Sequence, residues 1–134
     1  MKKPAIERRE TVLFLDDNPT RRLRAQQKYL GCVTVRSAEG CIALLNREWD
    51  RVYLDHDLGG EEGCDPNRTD TGMAVVRWVV AHKPSVRAFV VHSLNHPAAT
   101  LMTSKLRAAG YSVRQTPFIQ EFNAEQVEDS PDAP

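Results

Sequence analysis

Short apolar runs recur along the chain, each ending on acids, histidine or a polar turn and each followed by a longer stretch with helical spacing. Val12 to Leu15 is bounded by charge and ends at Asp16-Asp17, the pattern of a fully buried strand. In Asn18-Pro19-Thr20, Asn18 is able to cap and Pro19 suits a first helical position. A helix is therefore predicted to about Leu30, with Leu23, Gln27 and Leu30 on its inner face. Cys32 to Val35 reads as a second strand, and Ser37 caps a helix through Ala43, Leu44 and Leu45. Arg51 to Leu54 is the third strand, ending at Asp55. A polar loop of about fifteen residues follows, longer than most strand-to-helix connections. Asp70 or Thr71 opens a helix with an apolar stripe of Met73, Val76, Trp78, Val79 and Val80, which Lys83-Pro84 ends. Val86 to Val91 is the fourth strand, finishing at His92-Ser93. Pro97 starts a helix carrying Leu101, Met102 and Leu106 that stops at Gly110. Tyr111 to Arg114 is the fifth strand, and Ile119 to Pro134 is acidic and thinly apolar, a weak helix at most.

Parallel strands need helical crossovers and read as continuous apolar runs, so this alternation predicts an α/β fold. The expected architecture is a flavodoxin-like three-layer α/β/α sandwich with a five-stranded parallel sheet in the order 2-1-3-4-5. One domain over 1–134 is expected, with its core at about 11–118 and a flexible acidic tail from about residue 122. In such a sheet, chemistry collects beyond the carboxyl ends of strands 1 and 3, where the strand order reverses.

Charge narrows the partners. The 18 basic and 18 acidic residues cancel, so no net field draws the chain to a membrane surface or to double-stranded DNA. The opening MKKPAIERRE lacks the apolar core of a signal peptide, and no apolar stretch nears the roughly 20 residues of a spanning helix, so a cytoplasmic location is expected. Cys32, Cys41 and Cys64 form no CxxC pair and read as small apolar residues rather than zinc ligands.

The carboxyl edge is where ionisable groups gather: Asp16 and Asp17 from the first strand, Asp55, His56 and Asp57 from the third, and His92, Ser93, Asn95 and His96 from the fourth. Carboxylates crowded into one crevice repel one another and ask for a counter-ion, and an acid-rich, water-open site suits Mg²⁺ or Mn²⁺. Each residue also has a plainer reading. Asp17 or Asn18 could cap the first helix, Asp57 could form a turn with Gly59, Asn95 could cap the fourth helix, and His92 could be a core histidine. The joint placement favours a site.

The motifs VLFLDD, VYLDHD, FVVHS and TPF resemble the corners of response-regulator receiver domains. That resemblance implies Mg²⁺ held by Asp16, Asp17 and Asp55, phosphorylation at Asp55, and Ser93 as the switch hydroxyl. The lysine of the receiver pattern is Thr116 here. LDDNPTRRLR, YLDHDLGG, DTGMAVVRWV and VVHSLNHP together are more similar to the receiver-like family proposed to process cyclic phosphates. This second resemblance implies a metal-dependent phosphoesterase acting on a phosphorylated small molecule or an RNA end bearing a 2′,3′-cyclic phosphate. Asp17 and Asp55, joined by Asp16 or Asp57, would hold the metal. His56 and His92 would share the roles of base and acid, while Ser93, Asn95, His96, Arg21 and Arg22 would grip phosphate oxygens. The alternatives are an atypical stand-alone receiver phosphorylated on Asp55 and a non-catalytic interaction module.

Overall fold

The four apolar residues Val12–Leu15 form β1, sealed from solvent along its whole length. The computed structural model describes residues 9–58, 63–65 and 67–118, so the weak helix and tail predicted over 119–134 lie outside the described residues. Four further strands follow, β2 (Val33–Val35), β3 (Trp49–Leu54), β4 (Val86–Val91) and β5 (Ser112–Gln115). They alternate with α1 (Pro19–Lys28), α2 (Ala38–Leu44), α3 (Gly72–His82) and α4 (His96–Ala108). The sheet runs β2-β1-β3-β4-β5 with every pairing parallel, and β1 stands in register with β2 through Leu13 and Val33 and with β3 through Leu13 and Val52. The flavodoxin-like order is as the sequence predicts.

Strand periodicity divides the core. Leu13, Leu15, Val52, Leu54, Phe89 and Val91 point to the face that carries α2, α3 and α4. Their neighbours Phe14, Tyr53 and Val90 point to the face that carries Ala25 of α1 and Phe118. Side chains of a strand alternate between faces, so a run buried on both sides must be apolar throughout. Among the described residues no helix is long and apolar enough to cross a membrane, and all three cysteines are free thiols.

Three expectations shift. The inner residue of α1 is Ala25, while Leu23 is 53 % and Leu30 66 % exposed and Gln27 is also exposed. A small residue faces the sheet, and Leu30 lies past the helix end, in a turn that Gly31 closes at φ 82°. Val80 and Leu101 lie on outer faces, so the stripes of α3 and α4 are narrower than the spacing implies. β3 begins at Trp49, whose indole donates to the Leu44 carbonyl at 2.9 Å.

Gly72 brings α3 against the third strand's end. Its amide donates to the His56 carbonyl at 2.9 Å, and a Cβ there would overlap the Asp55 carbonyl and crowd Met102 Cε at 2.9 Å. Only glycine permits so close an approach.

Candidate functional site

Where β1, β3 and β4 end, the chain turns away from the sheet and leaves a crevice of about 690 Å³. Asp17 and Arg21 line it from the β1–α1 side, Asp55 and Asp57 from the end of β3, and Ser93, Asn95 and His96 from the β4–α4 side. It is the switch point that the strand order dictates.

At its floor Asp16, Asp17 and Asp55 each offer a carboxylate oxygen within 4.8 Å of the others. Asp16 is fully buried, and its charge is met from the chain itself. Arg21 donates from Nε to Asp16 Oδ2 at 2.9 Å and from Nη2 to Oδ1 at 3.2 Å, while the Asn18 amide donates to Oδ1 at 2.9 Å. Burial opposes the charge on Arg21, but its hydrogen bond to Asp16 and the fields of Asp16, Asp55 and Asp17 outweigh it and raise the guanidinium pKa. Asp55 is less well served. Its Oδ1 accepts the His56 amide at 2.8 Å, but Oδ2 stands 3.9 Å from Arg21 Nη2. Burial first, then the negative charge of Asp16, pushes the Asp55 carboxyl up to about 8. A carboxylate so penalised is suited to pairing with a cation, and an all-oxygen donor set fits Mg²⁺ or Mn²⁺ rather than zinc.

Asp57 belongs to a different structure. Its Oδ1 accepts from His56 Nδ1 at 2.7 Å, Asn95 Nδ2 at 3.1 Å and the Cys64 amide at 3.1 Å, and its Oδ2 accepts the Gly63 amide at 2.6 Å. Burial works against the charge, yet these donors lower its pKa, and its oxygens stand outside the acid cluster. Asp57 thus ties the segment around Gly63 to β3 and α4 and is not placed as a metal ligand.

Of the two strand histidines, His92 lines the crevice with a nearly buried ring and His56 does not line it. His56 is fully buried behind Asp57, with Nδ1 on that carboxylate and Nε2 without a partner among the described residues. His92 turns into the core, stacked on Phe14 with centroids 4.9 Å apart and 7° between planes. Its Nε2 donates to the Leu15 carbonyl at 3.2 Å, and Nδ1 lies 3.7 Å from Asp16 Oδ2. Burial above all drives the His92 pKa down to about 4, so the ring is neutral at pH 7. The His56 ring is thus committed to Asp57, while His92 lines the crevice wall with its ring stacked on Phe14 and beside Asp16. His96, the first residue of α4, is the exposed histidine lining the crevice.

The remaining residues divide. Ser93 is buried at the crevice wall, and its hydroxyl oxygen accepts the Asn95 amide at 3.0 Å. Asn95 caps α4 through the Ala98 amide at 3.3 Å and reaches Asp57 with its other end. Arg22 does not line the crevice; its Nη1 donates to the Asp16 carbonyl at 2.9 Å and braces the end of β1. Sequence reading missed the internal pairing of Arg21 with Asp16 and the amides that hold Asp57. The five-residue spacing of Asp16 and Arg21 across a strand-to-helix turn was the available sign of the first.

The family model described as cyclic-phosphate processing receiver domain matches residues 11–108. No protein with a curated description matches the chain. Among solved structures, a response regulator from Colwellia psychrerythraea is similar at 17 % identity and a TM-score of 0.56, over 81 % of this chain and 83 % of that one. A second, described as two RcsB dimers bound to two parallel DNAs, is similar at 15 % identity and a TM-score of 0.53, over 94 % of this chain and 66 % of that one. At such identities the likeness establishes the receiver-type fold.

Proposed function

The chain belongs to the cyclic-phosphate processing receiver domain family, and on that premise we propose that it is a metal-dependent phosphoesterase that opens a cyclic phosphate carried by a nucleotide or an RNA end. The observation that carries this reading is the acid cluster of Asp16, Asp17 and Asp55, with an under-compensated Asp55, at the floor of a crevice large enough for a nucleotide.

Asp17 and Asp55 would hold the divalent cation, Mg²⁺ or Mn²⁺. Such a cation supplies positive charge against phosphoryl oxygens and acidifies water. The rest is work for the chain's own groups. Ser93 already accepts the Asn95 amide, so its hydroxyl proton is free to donate to a phosphoryl oxygen. The N-terminus of α4, directly behind Ser93, places the positive end of thirteen aligned peptide dipoles toward the same anion. His96, lining the crevice, can deliver a proton to the leaving ribose oxygen. His56 orients Asp57, and Asp57 fixes the Gly63–Cys64 backbone that borders the crevice.

Turnover of 2′,3′-cyclic CMP with Mn²⁺, followed by ³¹P NMR, tests the reading. Asp17→Asn and Asp55→Asn should each lower kcat by at least about 10²-fold, and His96→Ala by about 10- to 10²-fold. Absence of turnover with every divalent metal would defeat it. A second reading has one observation behind it, that Asp55 and Ser93 line one crevice as a phosphoacceptor and its hydroxyl partner would. Under that reading, Asp55-dependent binding of beryllofluoride occurs without hydrolysis.

A further inference from the structure

Arg21 is the one basic residue lining the crevice among the described lysines and arginines, and it is held from three sides. Asp16 takes Nε and Nη2 in a two-pronged pair, Asp55 Oδ2 lies 3.9 Å from Nη2, and the guanidinium carbon stands 5.7 Å from the centre of the Phe118 ring. Phe118 is itself fixed, buried against Phe14 and His92 with centroids 6.2 Å away in each case. A guanidinium seated this way cannot swing freely. Its Nη1 has no hydrogen-bond partner among the described residues, and the side chain remains 30 % exposed.

We propose that Arg21 is the fixed cation that receives the phosphoryl group, and that Asp16 is its positioning residue rather than a metal ligand. The inference rests on the phosphoryl-binding reading above and changes the division of labour within it. Asp16 has little left to give a metal. Both its oxygens are engaged by the guanidinium, one also by the Asn18 amide, and the side chain is wholly buried. Asp17 and Asp55 complete the acid cluster, and their charges, added to that of Asp16, exceed that of Arg21 by two, so a divalent cation still balances the cluster. A phosphoryl group in the crevice then meets a metal on one side and a preorganised guanidinium on the other. Donors held in place before the anion arrives need no reorganisation when it binds, and a planar fork suits phosphate oxygens. Thr116 at the end of β5 offers no cation of its own.

The test measures Mn²⁺ and inorganic phosphate separately by isothermal titration calorimetry, on the parent, Arg21→Gln, Arg21→Lys and the double variant Asp16→Asn/Arg21→Gln. The double variant removes one positive and one negative charge, so the net field on the metal is unchanged. Expected is Mn²⁺ affinity within about threefold of the parent in the double variant, with phosphate affinity in the presence of Mn²⁺ lowered at least about tenfold there and in Arg21→Gln. Arg21→Lys should fall between, since it keeps the charge without the fork. Melting temperatures confirm folding, and if the double variant fails to fold, Arg21→Gln decides the role of Arg21 and Asp16→Asn, held to the same Mn²⁺ criterion, decides that of Asp16. Phosphate affinity unchanged in Arg21→Gln overturns the role of Arg21. A loss of Mn²⁺ affinity beyond tenfold in the double variant overturns that of Asp16. Arg21-dependent phosphate binding to a parent that takes no Mn²⁺ would sustain the Arg21 assignment while defeating the metal-dependent reading, and a parent that binds no phosphate would overturn the Arg21 assignment even if Mn²⁺ binds.

Discussion

Replacing Asp55 by asparagine should make the metal-free protein more stable, and should do so by an amount that depends on pH in a defined way. Asp55 ionises at about 8 in the folded chain against an ordinary carboxylate value of 3.8. A folded-state pKa raised in this direction contributes stability that is complete below 3.8 and is lost as pH rises through about 8. His92 acts oppositely. Its pKa is lowered from 6.5 to about 4, so its stability is lost as pH falls through that interval. Between pH 4 and 6.5 the two slopes, each about 1.4 kcal/mol per pH unit, nearly cancel. Above 6.5 Asp55 acts alone, and the parent should lose about 2 kcal/mol by pH 8, roughly 5–10 °C in Tm. Asp55→Asn removes one slope and uncovers the other: its stability should rise from pH 4 to 6.5 and then stay level. At pH 8 the variant should exceed the parent by several kcal/mol, because asparagine carries no charge to desolvate and its Oδ1 can still accept the His56 amide. Urea denaturation in EDTA at half-unit pH steps measures both curves. A parent whose stability holds or climbs from pH 6.5 to 8, or an Asp55→Asn variant less stable than the parent at pH 8, would refute the electrostatic account.

Divalent metal should stabilise the parent more at pH 8 than at pH 6, because ligands must be deprotonated to bind; equal shifts in melting temperature at both would count against Asp55 as a ligand. Gly72→Ala should cost more than about 3 kcal/mol or prevent folding, since the new Cβ meets the Asp55 backbone, and a denaturation midpoint near the parent's would contradict the close approach. Asn95→Ala should cost about 1–2 kcal/mol through the lost α4 cap and the lost bond to Asp57, with proteolysis near Gly63 accelerated; unchanged cleavage would show that Asp57 holds that segment without Asn95.

Some of this was open to reading in advance. The strands were legible because a run buried on both sides of a parallel sheet has to be apolar, and their ends were legible because acids and histidines interrupt the run. Ser37, Asn18 and Asn95 announced their helices by residue type, and each accepts a backbone amide at its helix start. The inner face of α1 was misjudged because leucine spacing marks an apolar stripe, not which stripe meets the sheet. The burial of the His56 and His92 rings was not legible, because a strand's end locates a residue at the edge without saying where its ring turns.

By itself the sequence determined the order of elements, the parallel sheet and the gathering of Asp16, Asp17, Asp55 and Ser93 at one edge. Those properties follow from periodicity, chain connectivity and the handed rules of crossover, which act locally or through topology. Tertiary structure decided which of the gathered groups face water and which charge answers which. It turned His92 onto Phe14, gave Asp57 to the backbone at Gly63 and Cys64, and set Arg21 between Asp16 and Phe118. The reason is that desolvation and pairing depend on distances of a few ångströms between residues far apart in the chain, and no periodicity in the sequence encodes them.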